Sequence, residues 1–194
     1  MIPLDIRIEQ FDKIVKMIEG AQAALNKYFF EYRIFTTFEY WLMIFFLIAP
    51  LVLLYFKIDK SKLFQICFYG YNIHVLFGYI DLYGRNLGYW NYPFPVLPPI
   101  TGLSLDASLV PVTFMLVYQW TIKRKKNYYI YSLLTAVIFS FLFKPVLVRM
   151  GLFKLYQEIN YIHLLICYVI VVFVAKWMMD LFLWIKKKYA WIIS

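Results

Sequence analysis

The chain has 194 residues, 63% of them hydrophobic and only 16% charged, with a mean hydropathy of +0.67. Soluble domains run at about 45–50% apolar and about a quarter charged, so a soluble sphere built from this chain would lack polar residues to cover itself. The formal charge of +9 does not point to nucleic acid: Lys57, Lys60 and Lys62, then Lys123 to Lys126, then Lys186 to Lys188 each follow a long apolar run, the placement that sets membrane topology.

Residues 1–35 form the one extended polar stretch. Phe11, Ile14, Val15, Ile18, Leu25 and Phe29 recur at helical spacing, while Asp5, Glu9, Asp12, Lys13, Lys16 and Glu19 fill much of the remaining surface. This predicts an amphipathic N-terminal helix, either lying on the membrane face or packed against the bundle. The start has no basic n-region and the first long apolar run begins only near Phe38, so the segment is not read as a secretory signal.

The remainder, 36–194, reads as an all-α polytopic membrane helix bundle of about five transmembrane helices. The predicted spans are 38–56, 63–83, 105–122, 128–143 and 161–185, each near the ~20 residues that cross ~30 Å of hydrocarbon. Pro50 lies within the first span, where neighbouring helices can satisfy the freed carbonyl. Residues 84–103 are rich in Pro and Gly and read as a loop. Lys144-Pro145 is expected to close the fourth span, and 145–160 to be a connecting segment with a short helix. Counting basic residues favours the C-terminus in the cytoplasm and the N-terminus outside, because the Lys57, Lys123 and Lys186 clusters then share the inner side. Trp41, Trp90, Trp120 and Trp184 stand near span ends, as an interfacial belt requires. Cys67 and Cys167 fall inside apolar runs without metal-type spacing and are expected to be small buried hydrophobes.

Ionisable groups inside spans are costly and so mark candidate sites. Tyr71, His74, Gly78 and Asp81 share one helix face by spacing, and Gly78 leaves a gap between His74 and Asp81 that a ligand or a neighbouring helix can fill. Asp106 opens the third span. Under the predicted topology Asp81, Arg85, Asp106, Glu158 and His163 all sit at the outer membrane boundary. The candidate polar site is therefore His74, Asp81, Arg85, Trp90, Tyr92, Asp106 and His163. The competing reading makes Asp81 and Asp106 helix caps paired with Arg85 or Arg149. Trp90, Tyr92 and Phe94 alternate along the stiff 88-GYWNYPFPVLPP-99 segment, which forms either a lid over an outer cavity or an anchor in the headgroup layer. Lys176 and Asp180 are an i, i+4 pair inside the last span and read as structural. No HxxxH, GxSxG, P-loop or Rossmann pattern occurs, so no metal and no cofactor is expected.

The string from Asp81 through Gly88-Tyr89-Trp90-Asn91-Tyr92-Pro93, Leu97-Pro98-Pro99 and Asp106 to Pro111, with its Tyr118-Gln119-Trp120 ending, resembles a largely uncharacterised family of small multi-span membrane proteins of spore-forming Firmicutes. The resemblance covers roughly residues 40–190 and implies a bacterial plasma-membrane or spore-membrane location and a link to sporulation, with no reaction. The Trp-x-Tyr loop followed by an acid at a helix start is fainter in its similarity to small membrane-bound carotenoid cyclases, whose Pro-x-Glu-Glu type motif is replaced here by Leu105-Asp106-Ala107.

Three functions remain open. The first is a non-enzymatic membrane protein, an accessory subunit or a binder of a lipid or small apolar ligand. The second is an intramembrane enzyme acting on a lipid or isoprenoid, with Asp81 and Asp106 as acid and base assisted by His74 or His163. The third is a small transporter or channel subunit, against which the lack of an inverted repeat counts. Partners are the lipid bilayer and a second copy or another membrane protein; nucleic acid is not among them.

Overall fold

The computed structural model describes residues 2–193, with side chains through 189, as an all-α bundle. Helix α1 covers Leu4–Glu31, α2 Phe38–Lys57 and α3 Leu63–Asn86. Two-residue strand β1, Trp90–Asn91, follows in the Pro-rich loop. Then come α4, Leu105–Arg124, and α5, Tyr128–Arg149, the second two-residue strand β2, Lys154–Leu155, and α6, Tyr161–Ile193.

Among the described residues four helices, α2, α4, α5 and α6, are long and apolar enough to cross a membrane, and they make this a membrane protein. Helix α3, with 24 residues, is as long but more polar, because it carries Asn72, His74, Asp81 and Arg85. It lies against both α4 and α6, and Asn72 and Asp81 are buried in the bundle. Helix α2 buries only Met43 and Pro50 and leaves most of its apolar surface facing outward.

Local chemistry places the helix starts. Thr37 Oγ1 accepts from the Tyr40 N–H (3.2 Å) at the start of α2, and Asn127 Oδ1 accepts from Tyr129 N–H (2.9 Å) and Ile130 N–H (3.4 Å) at the start of α5, each satisfying donors the first turn would leave free. At the turn between α2 and α3, Gln119 of α4 accepts from the Asp59 N–H (2.7 Å) and donates to the Lys57 carbonyl (2.9 Å). One amide thereby ties α4 to the end of α2 and to the turn that follows it.

The core is largely aromatic. Phe77, Phe114, Phe139 and Tyr168, from four different helices, pack together with ring centroids 4.8–6.5 Å apart. Toward the basic end, Tyr69 stacks on Tyr118 at 4.3 Å with Tyr128 edge-on to both, arrangements that add to the area buried.

Helices α4 and α5 each contain a widened π turn, Leu105–Leu109 and Phe139–Phe143. The turns are closed by Val110 N–H donating to the Leu105 carbonyl and by Lys144 N–H donating to the Phe139 carbonyl. In both cases the closing residue stands immediately before a proline, Pro111 or Pro145. A proline ring collides with the carbonyl four residues back, and widening the preceding turn relieves the clash without ending the helix.

This corrects the expected end of the fourth span. Lys144-Pro145 does not close it; the helix continues to Arg149, and the next segment is a turn and β2 rather than a further separate helix. Cys67 is likewise exposed on the outer side of α3, not buried, while Cys167 is half-buried. Helix α1 meets the rest of the protein at its C-terminal turns, where Phe29 is buried and Tyr28 donates to the Pro93 carbonyl (3.2 Å). Its apolar residues Phe11, Ile14, Val15 and Ile18 stay exposed.

A candidate polar site at one end of the bundle

The loop between α3 and α4 and the segment between α5 and α6 meet at one end of the bundle. β1 pairs antiparallel with β2, Trp90 opposite Leu155 and Asn91 opposite Lys154. Tyr156 N–H donates to the Tyr89 carbonyl (2.9 Å) and Gln157 Nε2 to the Leu87 carbonyl (3.0 Å). This tie, together with the prolines, holds the loop folded down so that Trp90 and Tyr92 point inward. Both rings are buried, at 6% and 3% exposure. The loop is therefore a lid with its aromatic side inward, and Trp90 and Tyr92 are not headgroup anchors.

Asp81 is the hub. Its Oδ1 accepts from Trp90 Nε1 (3.0 Å) and from the Tyr92 hydroxyl (2.8 Å), and its Oδ2 accepts from Arg85 Nε (2.7 Å). Three donors, one of them charged, satisfy a carboxylate that burial would otherwise penalise. Outside the spans, burial holds the Tyr92 hydroxyl proton well above its ordinary value of 10.0, and the charges of Asp81 and Asp106 reinforce the effect.

Two glycines make the close approach possible. A Cβ on Gly84 would overlap the six-membered ring of Trp90, and a Cβ on Gly102 would collide with Asp106 Oδ2 and stand 2.7 Å from Asp81 Oδ2. The two carboxylates thus converge over the bare α-carbon of Gly102. Asp106 sits in the π turn of α4, and its backbone carbonyl lies 2.8 Å from His74 Nδ1.

The fourth charged group is Lys144, at the end of the π turn of α5. It is 5% exposed. Its ammonium stands 3.6 Å from the centroid of Phe153 and 5.4 Å from that of Tyr92, within cation–π range. Among the described residues no carboxylate comes within 4.0 Å of it. It instead lines, with Asp81, Asp106, Tyr92 and Tyr168, a cavity of about 30 Å³, which is the room of a single water. If all four ionise, two carboxylates balance one guanidinium and one ammonium, but among the described residues only the Asp81–Arg85 pair is closed; Asp106 and Lys144 line the same cavity without forming one.

Five of the seven residues expected from the sequence come together: Asp81, Arg85, Trp90, Tyr92 and Asp106. His74 joins from behind, through the Asp106 backbone. His163 does not join. It is exposed in the first turn of α6, where Nδ1 lies 3.0 Å from Asn160 Oδ1 and 3.2 Å from the Asn160 backbone nitrogen. The expected face of α3 is also corrected. Asp81 shares its inward stripe with Ile73, Phe77 and Gly84, whereas Tyr71 and His74 are exposed and the Gly78 gap has no atom within 4 Å to fill it. Steps of three and four lead back from Asp81 to either stripe, and packing selects one.

Asp106 is not an N-cap, and Asp81 lies inside α3 rather than at its start. Lys144, Tyr168 and Phe153 were not among the expected residues. The available signal for Lys144 was its Lys-Pro step, which parallels Val110-Pro111 beside Asp106. Tyr168 is one of 18 tyrosines and Phe153 one of 19 phenylalanines, and nothing in the pattern singles them out.

No protein-family model matches the chain, and no curated protein or solved structure matches it significantly.

Proposed function

We propose that this is a multi-pass binding protein of the bacterial plasma membrane or spore membrane, whose polar site at the outer boundary takes the polar end of a lipid or small apolar molecule. The observation that carries this reading is Lys144: among the described residues, a buried ammonium with no carboxylate within 4.0 Å, lining a water-sized cavity together with Asp106. Intramembrane charge of this kind is expensive and is kept where it serves a site. The cavity admits one polar group of a ligand, whose apolar remainder then lies among the bundle and the lipid.

The orientation rests on charge. With α3 counted as a fifth span, its 24 residues rise about 36 Å, enough to cross. The lysine clusters at 57–62, 123–126 and 186–188 then lie on one side, and the cytoplasm is the side that collects them. The N-terminus and the lidded site are outside, and α1 lies along the outer leaflet by its apolar stripe. The outward faces of α2 leave room for self-association or a membrane-protein partner.

A second reading, an intramembrane enzyme acting on a lipid or isoprenoid, draws on the same pair. Asp106 and Lys144 are an acid and a base placed to exchange a proton through one water. Native mass spectrometry of protein extracted from its own membrane tests the binding reading. The expected result is a retained lipid or small molecule in the wild type, lost in Lys144→Met and Asp106→Asn with helical content unchanged. An empty wild type, or equal retention in all three, overturns it.

A further inference from the structure

The opposite end of the bundle holds a second amphipathic feature, unconnected with the carboxylates. Where α3 begins and α6 runs out into Lys186, Lys187 and Lys188, the two helices part and leave a groove of about 440 Å³. Its walls are hydrocarbon and its rim is cationic. Phe64 stacks on Phe68 with planes 7° apart, and Phe68 meets Phe182 edge-on at 5.1 Å, so an aromatic ladder from both helices forms the floor. Lys62 from the α3 side and Lys186 from the α6 side line the same groove.

The polar neighbours leave those two ammonium groups free. The Ser61 hydroxyl donates to Asp59 Oδ1 (2.7 Å), and Gln65 Nε2 donates to the Tyr118 hydroxyl (2.8 Å). Asp59 is the acid closest in sequence, and its Oδ1 takes both the Ser61 hydroxyl and the Ser61 N–H (3.0 Å). Asp180 is held by Lys176. Neither Lys62 nor Lys186 has a carboxylate within 4.0 Å among the described residues.

We propose that this groove is a binding site for one anionic phospholipid of the adjacent leaflet. The phosphate would be held between Lys62 and Lys186, and an acyl chain laid along Phe64, Phe68 and Phe182. The argument is charge complementarity joined to shape. A cation pair over an apolar trough between two helices matches a lipid with an anionic head above hydrocarbon. Lysines that only set topology need no trough, and a purely apolar partner needs no cations.

The test uses the full chain in detergent, titrated with phosphatidylglycerol or phosphatidylcholine and read by native mass spectrometry. One phosphatidylglycerol should bind in preference to phosphatidylcholine by about thirty-fold, the order expected from two lysine contacts at about 1 kcal/mol each. The double variant Lys62→Gln/Lys186→Gln should bring the preference near unity. The control pair Lys123→Gln/Lys126→Gln removes the same charge from the same end of the bundle and should leave it intact. Equal binding of the two lipids by the wild type overturns the proposal, as does an equal loss in the control pair. So does a dimer that Lys62→Gln/Lys186→Gln dissociates with no lipid preference, which would make the groove an interface between copies. None of these outcomes depends on the occupant of the site around Lys144.

Discussion

His74 Nδ1 donates to the backbone carbonyl of Asp106 across 2.8 Å, and this bond completes the hydrogen bonding of the π turn in α4. In an α-helix the Asp106 carbonyl would receive the Val110 N–H, but that donor goes to Leu105. One residue further on stands Pro111, which has no N–H. The carbonyl is left without a helical partner, and an imidazole from the neighbouring helix supplies one. Since a carbonyl only accepts, the proton must be on Nδ1.

Removing that donor should cost about what one ordinary hydrogen bond contributes. His74→Phe is expected to lower unfolding stability in detergent by about 0.5–1.5 kcal/mol. His74→Gln, whose amide can still donate, should lose less. Denaturant unfolding followed by circular dichroism checks both, and equal losses would argue that the ring's packing, not its N–H, matters.

The glycines under the site make a sharper test. Gly84→Ala should destabilise by about 1–3 kcal/mol, because the indole of Trp90 is rigid and cannot yield to a new methyl group. In a Trp90→Ala background the same change should be near neutral or slightly stabilising, since alanine is the better helix former by up to ~1 kcal/mol. Additive effects in the double-mutant cycle would show that Trp90 does not sit on Gly84. Gly102→Ala, which drives a methyl between Asp81 and Asp106, should be destabilising in either background.

Tyr92 gives a pH prediction. Its hydroxyl proton is held well above 10.0 in the folded protein, by burial first and by the Asp81 charge second. A folded pKa raised above the unfolded one stabilises below the unfolded value and loses that contribution as pH rises toward the folded value. Stability should therefore fall as pH rises above about 10, and fall less steeply in Tyr92→Phe. Melting temperatures from pH 8 to 11.5 in detergent read this directly. Parallel curves for the two proteins would remove Tyr92 from the account.

Lys176 and Asp180 pair one turn apart on α6, with the lysine side chain 16% exposed. Asp180→Asn alone leaves that ammonium uncompensated and should cost about 2–3 kcal/mol. Lys176→Met/Asp180→Leu removes both charges and should be close to neutral, as replacement of a paired set by apolar residues often is. A double variant as damaged as the single one would show that the pair does more than neutralise itself.

How legible the site was depended on the kind of signal each residue offers. Asp81 and Asp106 stood out because a carboxylate in an apolar run is costly, although the sequence alone left helix capping open beside a polar site. Arg85 followed as the cation one turn from Asp81, and Trp90 and Tyr92 as members of an unusual proline-rich string. Lys144 was hidden by its own neighbour. A Lys-Pro step at the end of an apolar run reads as a terminator, and only a turn widened next to a packed helix lets the chain continue. His163 stands in the first turn of α6, but position along a helix is not azimuth. Its ring is turned to Asn160, and the rotation of α6 about its axis is set by what the helix packs against.

Taken alone, the sequence determined the membrane class, the helical content, the approximate ends of the apolar runs and the end of the bundle where polar chemistry gathers. These follow from composition, run length and hydrophobic periodicity, which are local quantities. The tertiary structure decided which stripe of α3 faces inward, that β1 and β2 fold the loop down over Asp81, and that Lys144 and Asp106 line one small cavity. Those outcomes depend on helix rotation and on close approach over Gly84 and Gly102. Both are set by packing between segments distant in the chain, which no local pattern encodes.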